Sequence, residues 1–292
     1  MTDFGYVCAR SLDEAIDLLN DPGCRSRVLA GGTDLLVEAR SGPVDFDRVV
    51  DVSRVPELRV IETDGAADGR VVIGAAVTFT RLLSHDGLRG CAPLLVEACG
   101  YIGSPQIRNA ATVGGNVANA AACADSVPAL VCLGAEAVIA TASGELRWPV
   151  SELITGTHKT KLPPGALIRA FTFDVPPAGS RGAFERIGRR RAMAIARLSL
   201  AAMGMRASDG TMAWVRLVPG AAFARFRRAS VVEEMLAGRP ASGEVFAAAG
   251  QRMAELFLSE SGNRWSAEWK EKALAVLTER ALQRVAGGLN EN

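Results

Sequence analysis

Two stretches of this chain combine glycine pairs with short polar side chains, which suits them to holding an anion through backbone N–H groups. One is Gly103 to Leu130, GSPQIRNAATVGGNVANAAACADSVPAL; the other is Leu29 to Leu36, LAGGTDLL. Gly114 and Gly115 reach backbone angles closed to other residues and carry no Cβ to block a ligand. Thr112, Asn116 and Asn119 place a hydroxyl and two amides around them. Successive N–H groups in such a bend form a concavity for phosphate, and Gly31, Gly32 and Thr33 offer the same chemistry again. Each stretch alone reads more readily as a plain turn. Together they stand in a chain with neither G-x-G-x-x-G between strand and helix nor G-x-x-x-x-G-K-[ST]. Two loops from separate segments suit a dinucleotide, which has two phosphates and a long body.

Composition narrows the chemistry further. A chain of 292 residues, 49% hydrophobic, has room for one to three domains and a sizeable core. No apolar run approaches the roughly 20 residues that span a bilayer. The opening MTDFGYVCARSLDEA has no apolar core of a signal peptide. A formal charge of +1 gives no electrostatic case for nucleic acid. Cys8, Cys24, Cys91, Cys99, Cys123 and Cys132 form no C-x-x-C pair and no iron–sulfur spacing. Scattered cysteines in such a chain point to the cytoplasm, with reduced thiols. His85 and His158 are the only histidines, so a histidine-rich metal site is excluded. No metal ligand set is assigned, and redox chemistry here needs a bound organic cofactor.

The elements that must position the glycine stretches follow from patterning. Ser11-Leu-Asp-Glu14 is a capping box, and Leu12, Ala15, Ile16 and Leu19 continue at helical spacing. Residues 27–30 form a strand that feeds Gly31-Gly32-Thr33, residues 34–40 a short helix and 49–52 a second strand, giving a β-α-β opening. A strand over 71–77 precedes a helix capped by Thr80. Residues 93–101 form a helix with Leu94, Leu95, Ala98 and Tyr101 on its buried side. After the long glycine stretch come a helix over 126–133, a hairpin of 135–141 with 145–150, and an alternating strand over 167–175. Pro176-Pro177-Ala178-Gly179 is the clearest linker. Beyond it, 182–188, 194–206 and 212–218 form an antiparallel meander, and 231–237, 243–258 and 267–285 three helices, an order that fits a separate α+β domain.

LAGGTDLL followed by SPQIRNAATVGGN, with Asp125 shortly after, resembles the FAD-binding medium subunit of molybdenum hydroxylases. That family includes xanthine dehydrogenases, nicotinate dehydrogenase and the carbon monoxide dehydrogenase flavoprotein. The resemblance covers nearly the whole chain. PQIRNAATVGGN, RRRAMAIA and the Trp265 segment RWSAEWK bring it nearest to bacterial xanthine and nicotinate dehydrogenase medium subunits. It implies an α+β class: a vanillyl-alcohol-oxidase-type (PCMH) FAD-binding fold of two α+β subdomains, plus a C-terminal antiparallel sheet with a three-helix bundle. The implied domains are 1–176, divided into about 1–55 and 56–176, and 177–292.

The resemblance also implies site roles. Leu29, Ala30, Gly31, Gly32, Thr33, Asp34, Leu35 and Leu36 would hold the pyrophosphate. Thr112, Val113, Gly114, Gly115 and Asn116 would form the second flavin loop. Asp125 matches a position that takes a ribose or ribityl hydroxyl, and Ile102 and Ile168 match apolar positions that sandwich the adenine. Arg186 stands near the flavin where the family commonly has lysine; arginine keeps the charge without the compact ammonium. On the residues alone, Asp125 also reads as the cap of the Ser126 helix. Ile102 and Ile168 read as core, and Arg189-Arg190-Arg191 as a solvated run. Cys123 reads as a small hydrophobe, and Trp265 and Trp269 as packing on one helix face.

The implied machine divides labour between chains. A molybdenum-binding large subunit hydroxylates a purine or other N-heteroaromatic substrate, and an iron–sulfur small subunit relays the electrons through two [2Fe–2S] clusters. This chain's FAD passes them to NAD or another acceptor, in a heterotrimer that can dimerise. Flavin exchanges electrons singly or in pairs, so no side chain here need be catalytic. A self-contained flavoenzyme, such as UDP-N-acetylenolpyruvoylglucosamine reductase, would need its own substrate site, and the C-terminal meander and helices look like the hydroxylase subunit instead. A flavin-free assembly module would show damaged loops, and both are intact. A nicotinamide-only dehydrogenase lacks its fingerprint.

Overall fold

The computed structural model describes residues 4–63, 69–190, 193–261 and 266–287. In chain order, the first elements are β1 (Gly5–Cys8), α1 (Leu12–Leu19), β2 (Ser26–Leu29), α2 (Leu35–Ser41) and β3 (Arg48–Asp51). Next come β4 (Ile61–Glu62), β5 (Arg70–Gly74), α3 (Phe79–Ser84), α4 (Asp86–Cys91), α5 (Pro93–Gly100), α6 (Pro105–Ala110), α7 (Val113–Asn119) and α8 (Ser126–Leu133). Then follow β6 (Glu136–Thr141), β7 (Gly144–Pro149), α9 (Val150–Leu153), β8 (Ile154–Gly156), β9 (Lys159–Thr160) and β10 (Leu167–Asp174). The chain closes with β11 (Arg181–Gly188), β12 (Ala196–Arg206), β13 (Met212–Gly220), α10 (Ser230–Leu236), α11 (Gly243–Ser261) and α12 (Ala267–Val285). They group into two compact units. One holds residues 1–88, 102–121 and 135–175; the other holds 89–101, 122–134 and 176–292.

The first unit opens on a parallel sheet of order β1-β3-β2, with Val7 opposite Val50 and Val28 opposite Val50 on the other side. β1 is a strand that the sequence pattern does not announce, because four residues with exposed Gly5 and Tyr6 give no readable alternation. Ser11 caps α1 by accepting from the Glu14 N–H at 3.2 Å, and Glu14 reaches back to the Arg10 N–H at 2.7 Å. Ala15 and Ile16 then pack with Val50, Val52, Leu58, Ala140 and Leu167. Those last two residues belong to the unit's second sheet, antiparallel, of order β4-β5-β10-β6-β7. β10 lies at its centre. Its burial is nearly continuous and not alternating, with Phe171 and Phe173 fully enclosed. Each such side chain contributes about 1.5–3 kcal/mol, so the strand's apolar run marks the heart of the unit.

The second unit is built on the antiparallel meander β11-β12-β13, paired from Arg181↔Gly204 to Arg206↔Met212. The helices α10, α11 and α12 cover it, close to the expected bounds. Its core joins Leu198, Leu200 and Leu217 to Phe246, Met253, Leu274 and Leu282. α5 and α8 also belong to this unit. On β11, the Phe184 N–H donates to Glu97 of α5 at 3.1 Å. Arg284 of α12 then ties Glu97 to Glu185, at 2.8 and 3.0 Å. Tyr101, expected on the buried side of α5, is 41% exposed and packs its ring against Phe184 instead.

Candidate functional site

The first unit brings the Leu29–Leu36 stretch against residues 103–121 of the longer one. β2 delivers the chain into Gly31, where a Cβ would overlap the Ala110 carbonyl oxygen and lie 2.6 Å from its carbon and 2.9 Å from the Ala111 Cα. Backbone meets backbone there, immediately before Thr112. Gly32 has φ +68°, in the left-handed region that glycine occupies freely. Its carbonyl accepts from the Leu36 N–H at 3.1 Å as α2 begins. Among the described residues, no protein acceptor pairs with the N–H of Gly32 or Thr33. Asp34 precedes α2 without making a side-chain cap, and no residue of α2 is buried. Leu29, Ala30 and Leu35 are half-buried, and Leu36 is exposed.

The second stretch departs from the expected bend. It is helical: Ser104 caps α6 by accepting from Ile107 N–H, and Thr112 caps α7 by accepting from Gly115 N–H at 3.1 Å. The helix starts there because the preceding backbone is pinned to the 75–79 segment. Val113 N–H donates to Val77, Gly114 N–H to Ala75, and the Ala111 carbonyl accepts from Phe79. Thr78 is therefore the cap of α3; Thr80, expected in that role, donates to Asn109 at 2.6 Å. Two corrections follow. Neither Gly114 nor Gly115 has a positive φ. And the N–H groups of Val113, Gly114, Gly115 and Asn116 are all bonded within the protein, so this loop is not an anion nest.

Its glycines serve space instead. A Cβ on Gly114 would lie 2.5 Å from the Ala75 Cβ, so that glycine permits close packing. A Cβ on exposed Gly115 would meet only Thr112 Oγ1, at 3.0 Å, leaving an open surface without side chain. Replacing the cap, Thr112→Ala, is expected to cost about 1 kcal/mol of stability and to weaken ligand retention, as read by denaturant unfolding and cofactor content. The helix ends at Ala120, in a left-handed conformation, φ +49°. His158, also left-handed at φ +55°, holds that end: its N–H donates to the Ala120 carbonyl, and Nδ1 lies 2.9 Å from the Asn119 carbonyl oxygen. Ile102 is half-buried beside Gly103, whereas Ile168 lies buried in β10.

Asp125 and Arg186 lie in the second unit and bond to each other. Asp125 occupies the cap position of α8 but makes no capping bond. Its Oδ2 accepts from Arg186 Nε at 3.0 Å, and its Oδ1 is buried with no hydrogen-bond partner among the described residues. The two side chains are 5% and 6% exposed. Burial pushes the Asp125 carboxyl up to about 6, while the Arg186 charge and hydrogen bond act the other way. Arg186 also donates to the Ala194 carbonyl, and its guanidinium stands 5.6 Å from the Tyr101 ring centroid. Nothing in the sequence pattern marks Tyr101 for this cluster beyond an aromatic residue at the end of α5.

The remaining sequence features take ordinary roles. Arg189 and Arg190 are exposed, and Arg191 lies outside the described residues, as does Trp265. Trp269 is half-buried under the Arg197 guanidinium, 5.2 Å from the ring centroid. Cys123 is half-buried. Among the described residues no group of three or more His, Cys, Asp or Glu can hold a metal ion, and no helix is long and apolar enough to cross a membrane.

The model for the FAD binding domain in molybdopterin dehydrogenase matches residues 2–176. That for the CO dehydrogenase flavoprotein C-terminal domain matches residues 183–285. The chain is similar to the nicotinate dehydrogenase FAD-subunit of Eubacterium barkeri, 27% identical over 100% of both chains. It is 31% identical to the xanthine dehydrogenase FAD-binding subunit of Escherichia coli O157:H7, over 99% of each. Among solved structures, it resembles a chain of the reconstituted CO dehydrogenase from Oligotropha carboxidovorans. The TM-score there is 0.89 at 26% identity, covering 98% of this chain and 99% of that one.

Proposed function

We propose a function from one premise: the chain belongs to the family of FAD-binding subunits of molybdenum-hydroxylase dehydrogenases, and is an FAD-dependent oxidoreductase subunit. Its task in our reading is electron transfer. It takes electrons from the [2Fe–2S] clusters of a small partner subunit and passes them to NAD or another acceptor. A large partner subunit with a molybdenum cofactor hydroxylates a purine or other N-heteroaromatic substrate. We place the assembly in the cytoplasm. Residues 1–176 would carry the cofactor-binding domain and 177–292 the C-terminal domain.

The apposition of Gly31 with Ala110 and Ala111 carries this reading, because it sets two glycine stretches side by side in one unit. The residues present fit an FAD. Gly32 and Thr33 offer N–H groups without protein acceptors among the described residues, suited to a pyrophosphate. Gly115 offers a surface that a Cβ would fill. Asp125 offers a buried carboxylate oxygen that awaits a donor. We assign Leu29 to Leu36, Thr112 to Asn116, Ile102, Ile168, Asp125 and Arg186 to the cofactor. A bound flavin supplies exchange between one-electron and two-electron carriers. The chain's own residues bind it, orient it and exclude water; none is assigned as an acid or base.

Releasing the cofactor by denaturation and identifying it by chromatography tests the proposal. FAD near one per chain, without iron or molybdenum in the isolated chain, is the expected result. FMN in its place would defeat the pyrophosphate assignment, and failure to reconstitute with FAD would defeat the function. Oxidation of the reduced full complex by NAD then tests the acceptor.

A further inference from the structure

On the reading that Asp125 belongs to the flavin site, we propose that Arg186 is a positioning residue for that carboxylate. It engages Oδ2, so that Oδ1 is presented as an ionised acceptor to a hydroxyl or N–H donor of the flavin, and not to its phosphates. The guanidinium is already committed. Nε serves Asp125, another nitrogen serves the Ala194 carbonyl, one face covers Tyr101, and the side chain is 6% exposed. A free arginine fork would take a phosphate through two parallel bonds; this one has spent its geometry inside the protein. Its charge is matched by Asp125, so the pair offers no net attraction to an anion.

The vacant bonding capacity lies on Asp125. A buried acceptor without a partner costs about 1–3 kcal/mol, and such groups in native proteins ask for an explanation. An ionised carboxylate only accepts hydrogen bonds, so the missing partner must donate. Phosphate oxygens at neutral pH are anionic acceptors and do not qualify. Sugar and ribityl hydroxyls, and the N–H groups of the ring systems, do.

With Oδ2 held by Arg186, a proton taken up by Asp125 goes to Oδ1 and turns an ionised acceptor into a neutral hydroxyl that no longer suits a donor as well, so binding depends on pH. Burial holds the carboxyl near 6, and the Arg186 cation keeps it from rising further. Cys99 of α5 faces the carboxylate, and burial pushes its thiol well above the usual range, so it stays neutral. Tyr101 lies behind Arg186. From β12, Arg197 stacks on Trp269; from β13, Arg216 donates to the Cys132 carbonyl in the last turn of α8. The sign is then defined: affinity is full above the carboxyl's pKa and is lost as pH falls through it. Without the cation that midpoint moves up.

The experiment is an FAD titration of the full-length chain stripped of cofactor, followed by flavin fluorescence between about pH 5 and 9, where a carboxyl raised by burial titrates. Wild type is expected to bind more weakly as pH falls through about 6. Arg186→Gln is expected to bind about tenfold more weakly at neutral pH, the equivalent of one pKa unit, with its midpoint displaced upward. Arg186→Lys, which keeps the charge and the fold's demand for a cation, is expected to restore most of the affinity and the wild-type midpoint. Asp125→Asn is expected to bind weakly with no dependence on pH in this range. An Arg186→Gln profile that coincides with wild type, or an Arg186→Lys profile that coincides with Arg186→Gln, overturns the positioning role. Wild-type affinity in Asp125→Asn would overturn the need for an ionised acceptor, and wild-type affinity in Asp125→Leu, which carries no acceptor, would remove Asp125 from the flavin site and overturn the reading beneath it.

Discussion

Gly115→Val is expected to give a folded chain that no longer retains FAD. The two halves of that result have separate causes. A Cβ at this position meets only Thr112 Oγ1, at 3.0 Å, and no backbone atom of another segment. The residue is exposed on the first turn of α7, where leaving glycine changes helix stability by roughly 0.5 kcal/mol. The protein alone therefore has space for the side chain. A cofactor lying on that bare surface does not, and forcing bulk into a packed contact costs about 1–3 kcal/mol, up to roughly a hundredfold in Kd. Unchanged circular dichroism with a colourless purified protein is the expected observation. Stoichiometric FAD in the variant would show that the ligand approaches the chain elsewhere.

Gly31→Ala is expected to fail in the opposite way, by loss of the fold around the site. A methyl group there runs into the carbonyl of Ala110, and a backbone carbonyl held between α6 and the Thr112 cap cannot swing aside as a flexible side chain would. The loop after β2 and the start of α7 must separate, at about 3 kcal/mol or more. A lowered unfolding midpoint together with lost FAD is the result expected. Gly42→Ala is the control, since a Cβ at Gly42 meets nothing within 4 Å, and a surface change of that kind stays within about 0.5 kcal/mol. If Gly31→Ala unfolds like the control and keeps its FAD, the backbone contact between the two stretches is not what holds the site.

The contrast between these glycines shows where sequence reasoning reached and where it stopped. LAGGTDLL and TVGGN were legible as places where a side chain is unwelcome. Which glycine packs against backbone and which leaves an open surface was not, because that depends on Ala75 and Ala110, residues far from them in the chain or in another element. The helix α7 was illegible for a related reason. VGGNVAN has neither the propensity nor the apolar period of a helix; it forms because Thr112 caps it and Val77 and Ala75 hold its first N–H groups. The meander and the long α11 and α12 were legible, since their patterns are long and periodic. Asp125 and Arg186 were each singled out by resemblance, yet their bond to one another spans 61 residues and is a property of the fold.

The burial of α8 has a consequence for how the protein is made. All eight of its residues are buried, and part of its cover comes from β12 and β13. Those strands leave the ribosome roughly 60–90 residues after α8, which at about 5–20 residues per second is a delay of roughly 3–18 s. Through that interval an octet of apolar character, SVPALVCL, has no permanent neighbour on that side. A nascent chain in this state is a client for chaperones and a seed for aggregation. Translation that stalls near the Pro176–Gly179 linker prolongs the exposure, and expression of residues 1–176 alone makes it permanent. Recombinant yield should therefore depend on the completeness of the C-terminal meander as much as on the supply of flavin.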